Sequence, residues 1–310
     1  MIQYYKTVDG HLCEQSCTSP GAWIHLNNPT KEEVLGICAQ TGALADLVSA
    51  ALDEEEASRI EREDEQTLIL VDIPVIEPEG TSFVYNTLPL GIVLLEDTVI
   101  TVCLQDTTII GDFMENRVRG FDTCKKTRFV LQLLYRTSTK FLQYLRQIDK
   151  ASTQVENALH KSLKNRELIQ MLKLEKSLVF FSTSLKSNEV VLEKMLKTHF
   201  IKRYPDDEDL LEDVIIENKQ AIEMAAIYRD ILSGTMDAFA SVISNNLNIV
   251  MKFLTSVTII LAVPTLIASL WGMNVPVPFE NAPYGFAALV GFSLVCTGVT
   301  VYMLWRKKML

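Results

Sequence analysis

The sequence predicts an α/β domain followed by long helices and two C-terminal membrane-spanning helices, and three observations carry that expectation. Residues 1–120 hold eight of the 13 Gly and five of the 10 Pro, whereas residues 121–252 hold only Gly234 and Pro205. Short β-type runs alternate with helical patterns in the first segment and vanish from the second. Two uncharged runs follow, 19 residues at 253–271 and 22 residues at 284–305. A chain of 310 residues is long enough for two or three folding units. The expected division is an α/β domain (1–120), a helical stalk (121–252), a first span (253–271), a loop (272–283), a second span (284–305) and a basic tail (306–310).

In the α/β part, residues 22–26, 67–73 and 90–95 read as strands and 31–40 and 44–56 as helices. Thr30 and Glu33 have the spacing of a capping box, in which each side chain meets the other's backbone amide. From 121 to 204 there are 84 residues without Gly or Pro, too many for one globular helix, which implies long helices with a reversal near 160–166. Tyr204-Pro-Asp-Asp-Glu-Asp is a further helix start, with Pro early and acids in the first turn where the helix dipole favours them. A helix running unbroken from 208 to 271 would be roughly 95 Å long at 1.5 Å per residue. Its apolar positions Leu232, Met236, Phe239, Ile243, Leu247 and Val250 recur at near-heptad spacing, the pattern of packing against partner helices.

Each uncharged run is long enough to cross a hydrocarbon core of about 30 Å. Lys252 precedes the first, Arg306, Lys307 and Lys308 follow the second, and the intervening loop has no Lys or Arg. Both termini are therefore expected in the cytoplasm, with the spans in the cell (inner) membrane. The formal net charge is -10, and the segment from 253 onward carries a local +2, which leaves -12 on the first 252 residues. So acidic a body argues against a nucleic-acid partner and suits a surface that meets cations. The six Cys form no CxxC pair and read as reduced thiols. The N-terminus is too polar for a signal peptide. No Gly-rich phosphate loop or G-x-S-x-G occurs, and His11, His25, His160 and His199 have no partners recognisable by spacing, so an enzyme is not expected.

Along the first span, Asn248, Met251, Thr255, Thr258, Ala262, Thr265 and Ser269 recur at alternating intervals of three and four. A period of 3.5 keeps them on one face of a supercoiled helix. Oxygen-bearing groups so aligned either join helices or line a water-filled path. Two spans cannot enclose a pore, but several identical chains around a closed axis can. At the end of this helix, Gly272 is expected in the left-handed conformation that terminates a helix, allowing close backbone approach. Asn274 then offers a neutral carbonyl, repeated in a ring. Mg²⁺ is a hard cation that gives up water reluctantly, and amide and backbone oxygens can hold its hydration shell without trapping it.

Gly272-Met273-Asn274 between two C-terminal spans, with upstream Tyr228-Arg-Asp-Ile-Leu-Ser-Gly-Thr-Met-Asp-Ala-Phe239 and Ser244-Asn-Asn-Leu-Asn-Ile-Val-Met-Lys-Phe-Leu254, resembles the CorA magnesium transporter family. The resemblance implies a funnel-shaped homopentamer: an α/β domain, long helices and a pore lined by the first span. It implies pore positions at Asn248, Met251, Leu254, Thr255 and Thr265, an entrance filter at Gly272 and Asn274, and a cation-concentrating acid at Glu280. It also implies a regulatory role for Asp213, through which cytoplasmic Mg²⁺ holds the closed state. Val275-Pro276, Trp271 and Ala262 depart from the family's usual residues. The expected function is passive passage of divalent cations, chiefly Mg²⁺, which is then both cargo and regulator. The alternative is a transporter of Zn²⁺, Co²⁺ or Ni²⁺ with the same fold, and the third reading is a membrane-anchored scaffold or sensor.

Overall fold

The computed structural model describes residues 1–79, 82–161, 165–198, 204–274 and 283–309. Among them, β1 (Ile2–Val8), β2 (His11–Gln15), β3 (Trp23–Asn27), β4 (Arg59–Glu63), β5 (Gln66–Glu79), β6 (Ser82–Leu94) and β7 (Val99–Cys103) form one seven-stranded sheet ordered β2-β1-β3-β7-β6-β5-β4. Every neighbouring pair is antiparallel except β3 and β7, whose register runs from Trp23 opposite Val99 to Asn27 opposite Cys103.

Strand alternation sends successive side chains into two cores. On β5, Ile69, Val71 and Ile73 enter one, and Leu68 and Leu70 the other. The second core is covered by α1 (Lys31–Thr41) and the short α2 (Ala45–Ser49), through Val34, Ile37, Leu47 and Val48. The capping box expected at Thr30 is formed: Glu33 N–H donates to Thr30 Oγ1 at 3.2 Å, and Thr30 N–H to Glu33 Oε2 at 2.8 Å. The helix expected to reach residue 56 stops at Leu52, after a 3-10 turn. Asp53 Oδ1 accepts from Glu55 N–H at 3.0 Å, so the acidic run at 53–56 forms a turn where the helix had been expected to continue. That 3-10 turn lies close on the sheet because β6 carries Gly91, where a Cβ would meet Ala51 Cβ at 2.8 Å.

The first core is covered by α3 (Thr108–Met114), α4 (Lys126–Lys161) and α5 (Asn165–Lys197), and it centres on Trp23, which is fully buried. Its ring packs at 5.1 Å from Phe129 and 5.2 Å from Tyr5. The carboxamide of Asn188 fixes α5 on the sheet: Asp72 N–H donates to its Oδ1 and its Nδ2 donates to Asp72 O, both at 2.8 Å. Beside it, burial raises the Asp72 carboxyl above its ordinary value, against the hydroxyls of Ser184 and Ser58 that favour the anion. Helix α4 ends at Lys161 and α5 begins at Asn165; the reversal expected near 160–166 falls in part on residues outside those described.

Helix α6 runs from Pro205 to Trp271 and α7 from Gly285 to Arg306. Two compact units divide the chain, Met1–Thr235 and Met236–Leu310, so α6 contributes to both. In the first, Asn218 Nδ2 donates to Leu185 O at 3.1 Å, tying α6 to α5.

Candidate functional site

In the unit of residues 236–310, α6 and α7 are long and apolar enough to cross a membrane. Leu261, Leu266 and Leu270 on α6, and Phe286, Phe292 and Leu294 on α7, are each more than half exposed. Apolar surface on this scale needs lipid or partner chains to cover it.

Shielding divides α6 into two faces. Ser256, Ile260, Val263, Pro264, Ile267 and Trp271 are buried or half-buried. The corresponding stripe on α7 is Gly285, Leu289, Ser293, Cys296, Thr300 and Leu304, and these are the sides the two helices turn toward each other. The expected pore stripe, Asn248, Met251, Leu254, Thr255, Thr258, Ala262, Thr265 and Ser269, is exposed along its length. At 3.6 residues per turn it lies nearly half a turn from the α7-facing stripe.

Two hydroxyls in the stripe have their protons committed. Thr258 Oγ1 donates to Leu254 O at 2.9 Å and Thr265 Oγ1 to Leu261 O at 2.8 Å. What remains on each oxygen is lone pairs, so the stripe offers acceptors to the water shell of a cation. Pro264 lies within α6, and its missing N–H leaves Ile260 O without the usual helical donor.

Helix α6 ends at Trp271, and Gly272 N–H donates to Ala268 O at 2.9 Å. The left-handed conformation expected of Gly272 is not adopted; among the described residues the glycines with positive φ are Gly10, Gly21, Gly42 and Gly120. Glycine is suited to this place for another reason, because a Cβ would stand 3.3 Å from Ala268 O and 3.8 Å from Ser269 O. Met273 and Asn274 follow, both exposed, at the end where the helix carbonyls point outward and the dipole is negative. Glu280 falls outside the described residues.

Asp213 belongs to the other unit. It is exposed on α6, and its carboxylate has no ion pair with a described residue. Its neighbour Glu212 lines a cleft of about 580 Å³ with Leu131, Met195, Leu211 and Ile215, where Asp207 pairs with Arg128 at 3.3 Å. Among the described residues no group of three or more His, Cys, Asp or Glu is placed to hold a metal ion.

Two features were not legible in the spacing. His25, 2% exposed, contacts Thr101 Oγ1 through Nδ1 at 2.9 Å and Cys103 Sγ through Nε2 at 3.8 Å, with Trp23 Nε1 donating to the same Thr101 oxygen at 2.8 Å. Burial lowers its imidazole to about 4 and pushes the Cys103 thiol up to about 12. The second is Ser256, fully buried in a helix that is otherwise largely open.

A mixed sheet, long helices and a terminal pair of membrane-length apolar helices make up a two-span membrane protein. Residues 20–308 match the family model described as CorA-like Mg²⁺ transporter protein. The chain is 28% identical over 295 residues to the cobalt/magnesium transport protein CorA of Methanocaldococcus jannaschii, across 92% of this chain and 90% of the relative. It is 32% identical over 152 residues to the Thermotoga maritima protein of the same description, across 44% of this chain and 42% of that one. The complete structure of the CorA magnesium transporter from M. jannaschii superposes with a TM-score of 0.85 at 25% identity, covering 98% and 96% of the two chains. The chain belongs to the CorA-like Mg²⁺ transporter family.

Proposed function

We propose that this chain assembles as a homopentamer in the cell membrane, both termini cytoplasmic, and forms a passive inward pathway for divalent cations, chiefly Mg²⁺ and also Co²⁺. The carrying observation is the exposed stripe of α6, which presents oxygen lone pairs on the face opposite α7. A rotation axis would gather those faces into a single lumen. Gly272, Met273 and Asn274 form the external filter, where neutral oxygens hold the hydrated ion weakly enough to release it. Glu280 concentrates cations at the mouth. Inward movement is driven by the membrane potential, about 4.6 kcal/mol for a divalent ion at 100 mV. Both curated relatives are described as cobalt/magnesium transport proteins, which supports the choice of cargo.

Cytoplasmic Mg²⁺ closes the pathway by bridging Asp213 to a neighbouring subunit. Asp213 is exposed on α6, which leaves its carboxylate open to a neighbouring subunit. A pathway for Zn²⁺ is disfavoured because Zn²⁺ prefers His and Cys, and Cys296 lies on the side of α7 turned toward α6. Flux into proteoliposomes tests the reading. Mg²⁺ and Co²⁺ are expected to enter without a pH gradient and Zn²⁺ far more slowly, and Asn274→Ala to reduce Mg²⁺ entry on the order of tenfold, equivalent to ~1.4 kcal/mol. A membrane scaffold would carry no ion and be indifferent to Asn274.

A further inference from the structure

The cytoplasmic end of the apolar unit contains a feature that ion passage does not use. Ser256 is fully buried, and its single hydroxyl proton is shared between Lys252 O at 2.8 Å and Met309 O at 2.9 Å. The first acceptor lies in the preceding turn of α6; the second belongs to the chain beyond α7. This strap depends on how α7 ends. Lys308 takes a left-handed conformation at φ 55°, Lys308 N–H donates to Trp305 O at 3.0 Å, and Met309 N–H reaches back to Leu304 O at 3.1 Å. Such a helix stop ordinarily carries glycine, because a side chain in that conformation is strained. Here lysine occupies it.

The strap collects charge. Lys252 lies one turn before Ser256, and Arg306, Lys307 and Lys308 immediately precede Met309; all four are exposed. They are the only basic residues after 235, where the only acids are Asp237 and Glu280. Asp237 is 15 residues before Lys252, about 22 Å along the helix, and Glu280 follows its opposite end. Among the described residues none of the four makes an ion pair. The cluster borders apolar helix surface, including Trp305, which is 67% exposed. An uncompensated cationic group at the edge of a hydrocarbon-facing surface matches a ligand with a phosphate at one end and acyl chains at the other.

We propose that Lys252, Arg306, Lys307 and Lys308, gathered by the Ser256–Met309 strap, form a binding site for the phosphate headgroup of an anionic phospholipid. The proposal rests on the membrane-spanning reading of α6 and α7, and its test separates the two. Trp305 adjoins the site, Trp23 is buried in the α/β domain, and Trp271 is at the far end of α6, so the full chain with Trp271→Tyr has one lipid-accessible indole there. Its emission is followed in phosphatidylcholine vesicles doped with brominated phosphatidylglycerol or brominated phosphatidylcholine.

The anionic quencher is expected to act at severalfold lower mole fraction than the zwitterionic one. Ser256→Ala, which keeps every charge but releases the strap, is expected to reduce that preference. Lys308→Gly combined with Lys307→Gln keeps the turn, removes two charges and is expected to reduce it as well. Equal quenching by both lipids overturns the site while leaving the spans in place, whereas quenching by neither overturns the membrane reading itself. A preference unaltered by Ser256→Ala overturns the strap as organiser. Loss of the preference in millimolar inorganic phosphate, but not in chloride of equal ionic strength, assigns the cluster to a soluble phosphate and overturns the lipid.

Discussion

His25 lies in the sheet between Thr101 and Cys103, and its imidazole is held neutral down to about 4 by burial. The unfolded chain takes up a proton near the ordinary value of 6.5, which the folded chain resists. Stability is therefore complete above that value and falls as pH drops toward 4, by up to about 1.4 kcal/mol per pH unit. His25→Asn is expected to flatten the melting temperature against pH across this window. An unchanged slope would assign the acid sensitivity to other groups. The capping box at Thr30 and Glu33 was legible in the sequence because its geometry is local, four residues and two hydrogen bonds. The conformation of Gly272 was not, because a glycine after a helix is compatible with both a left-handed turn and a close approach to a carbonyl, and the 3.3 Å gap to Ala268 O is a property of the folded backbone.

At the scale of elements, the proposed pathway uses only the exposed face of α6, so hydroxyls on the two helices should respond differently to removal. Thr265→Val keeps the shape of the exposed stripe and deletes its lone pairs; Mg²⁺ flux is expected to drop severalfold. Thr297→Val on α7, whose hydroxyl donates to Ser293 O at 2.8 Å on the half-buried side, is expected to leave flux unchanged. Equal effects in proteoliposomes would dissolve the distinction between the faces. The alternation of three and four residues from Asn248 to Ser269 puts these positions on one face of the helix, since periodicity survives without knowledge of neighbours. Which hydroxyl protons point back into the helix, and that Ser256 is closed over by Met309, depend on contacts 4 and 53 residues apart and leave no periodic trace. The sheet shows the same limit. Strands β1 and β2 went unpredicted because only one side of each is covered: Tyr5 and Leu12 are buried while their neighbours stay partly or fully exposed.

At the scale of the molecule, the net charge changes sign along the chain, from -12 on residues 1–252 to +2 on residues 253–310. If Asp213 is the point at which internal Mg²⁺ draws subunits together, Asp213→Ala should raise conductance at millimolar internal Mg²⁺. Measured against the same protein in chelator, the variant should lose most of its inhibition; inhibition of unaltered depth would remove Asp213 from the sensor. The division between a Gly- and Pro-containing front and a helical rear followed from composition alone. The order of strands did not, because sheet pairing is set by contacts far apart in the chain. Among the described residues the one parallel pairing, β3 with β7, joins strands with residues 28–98 lying between them. During synthesis the first of these strands must wait for the other to emerge, with the whole intervening excursion closed as a loop before this pairing joins the two halves of the sheet. Trp23, which starts that strand, should consequently acquire its native emission late in refolding, after the hairpins have formed, and its colour would time the completion of the domain.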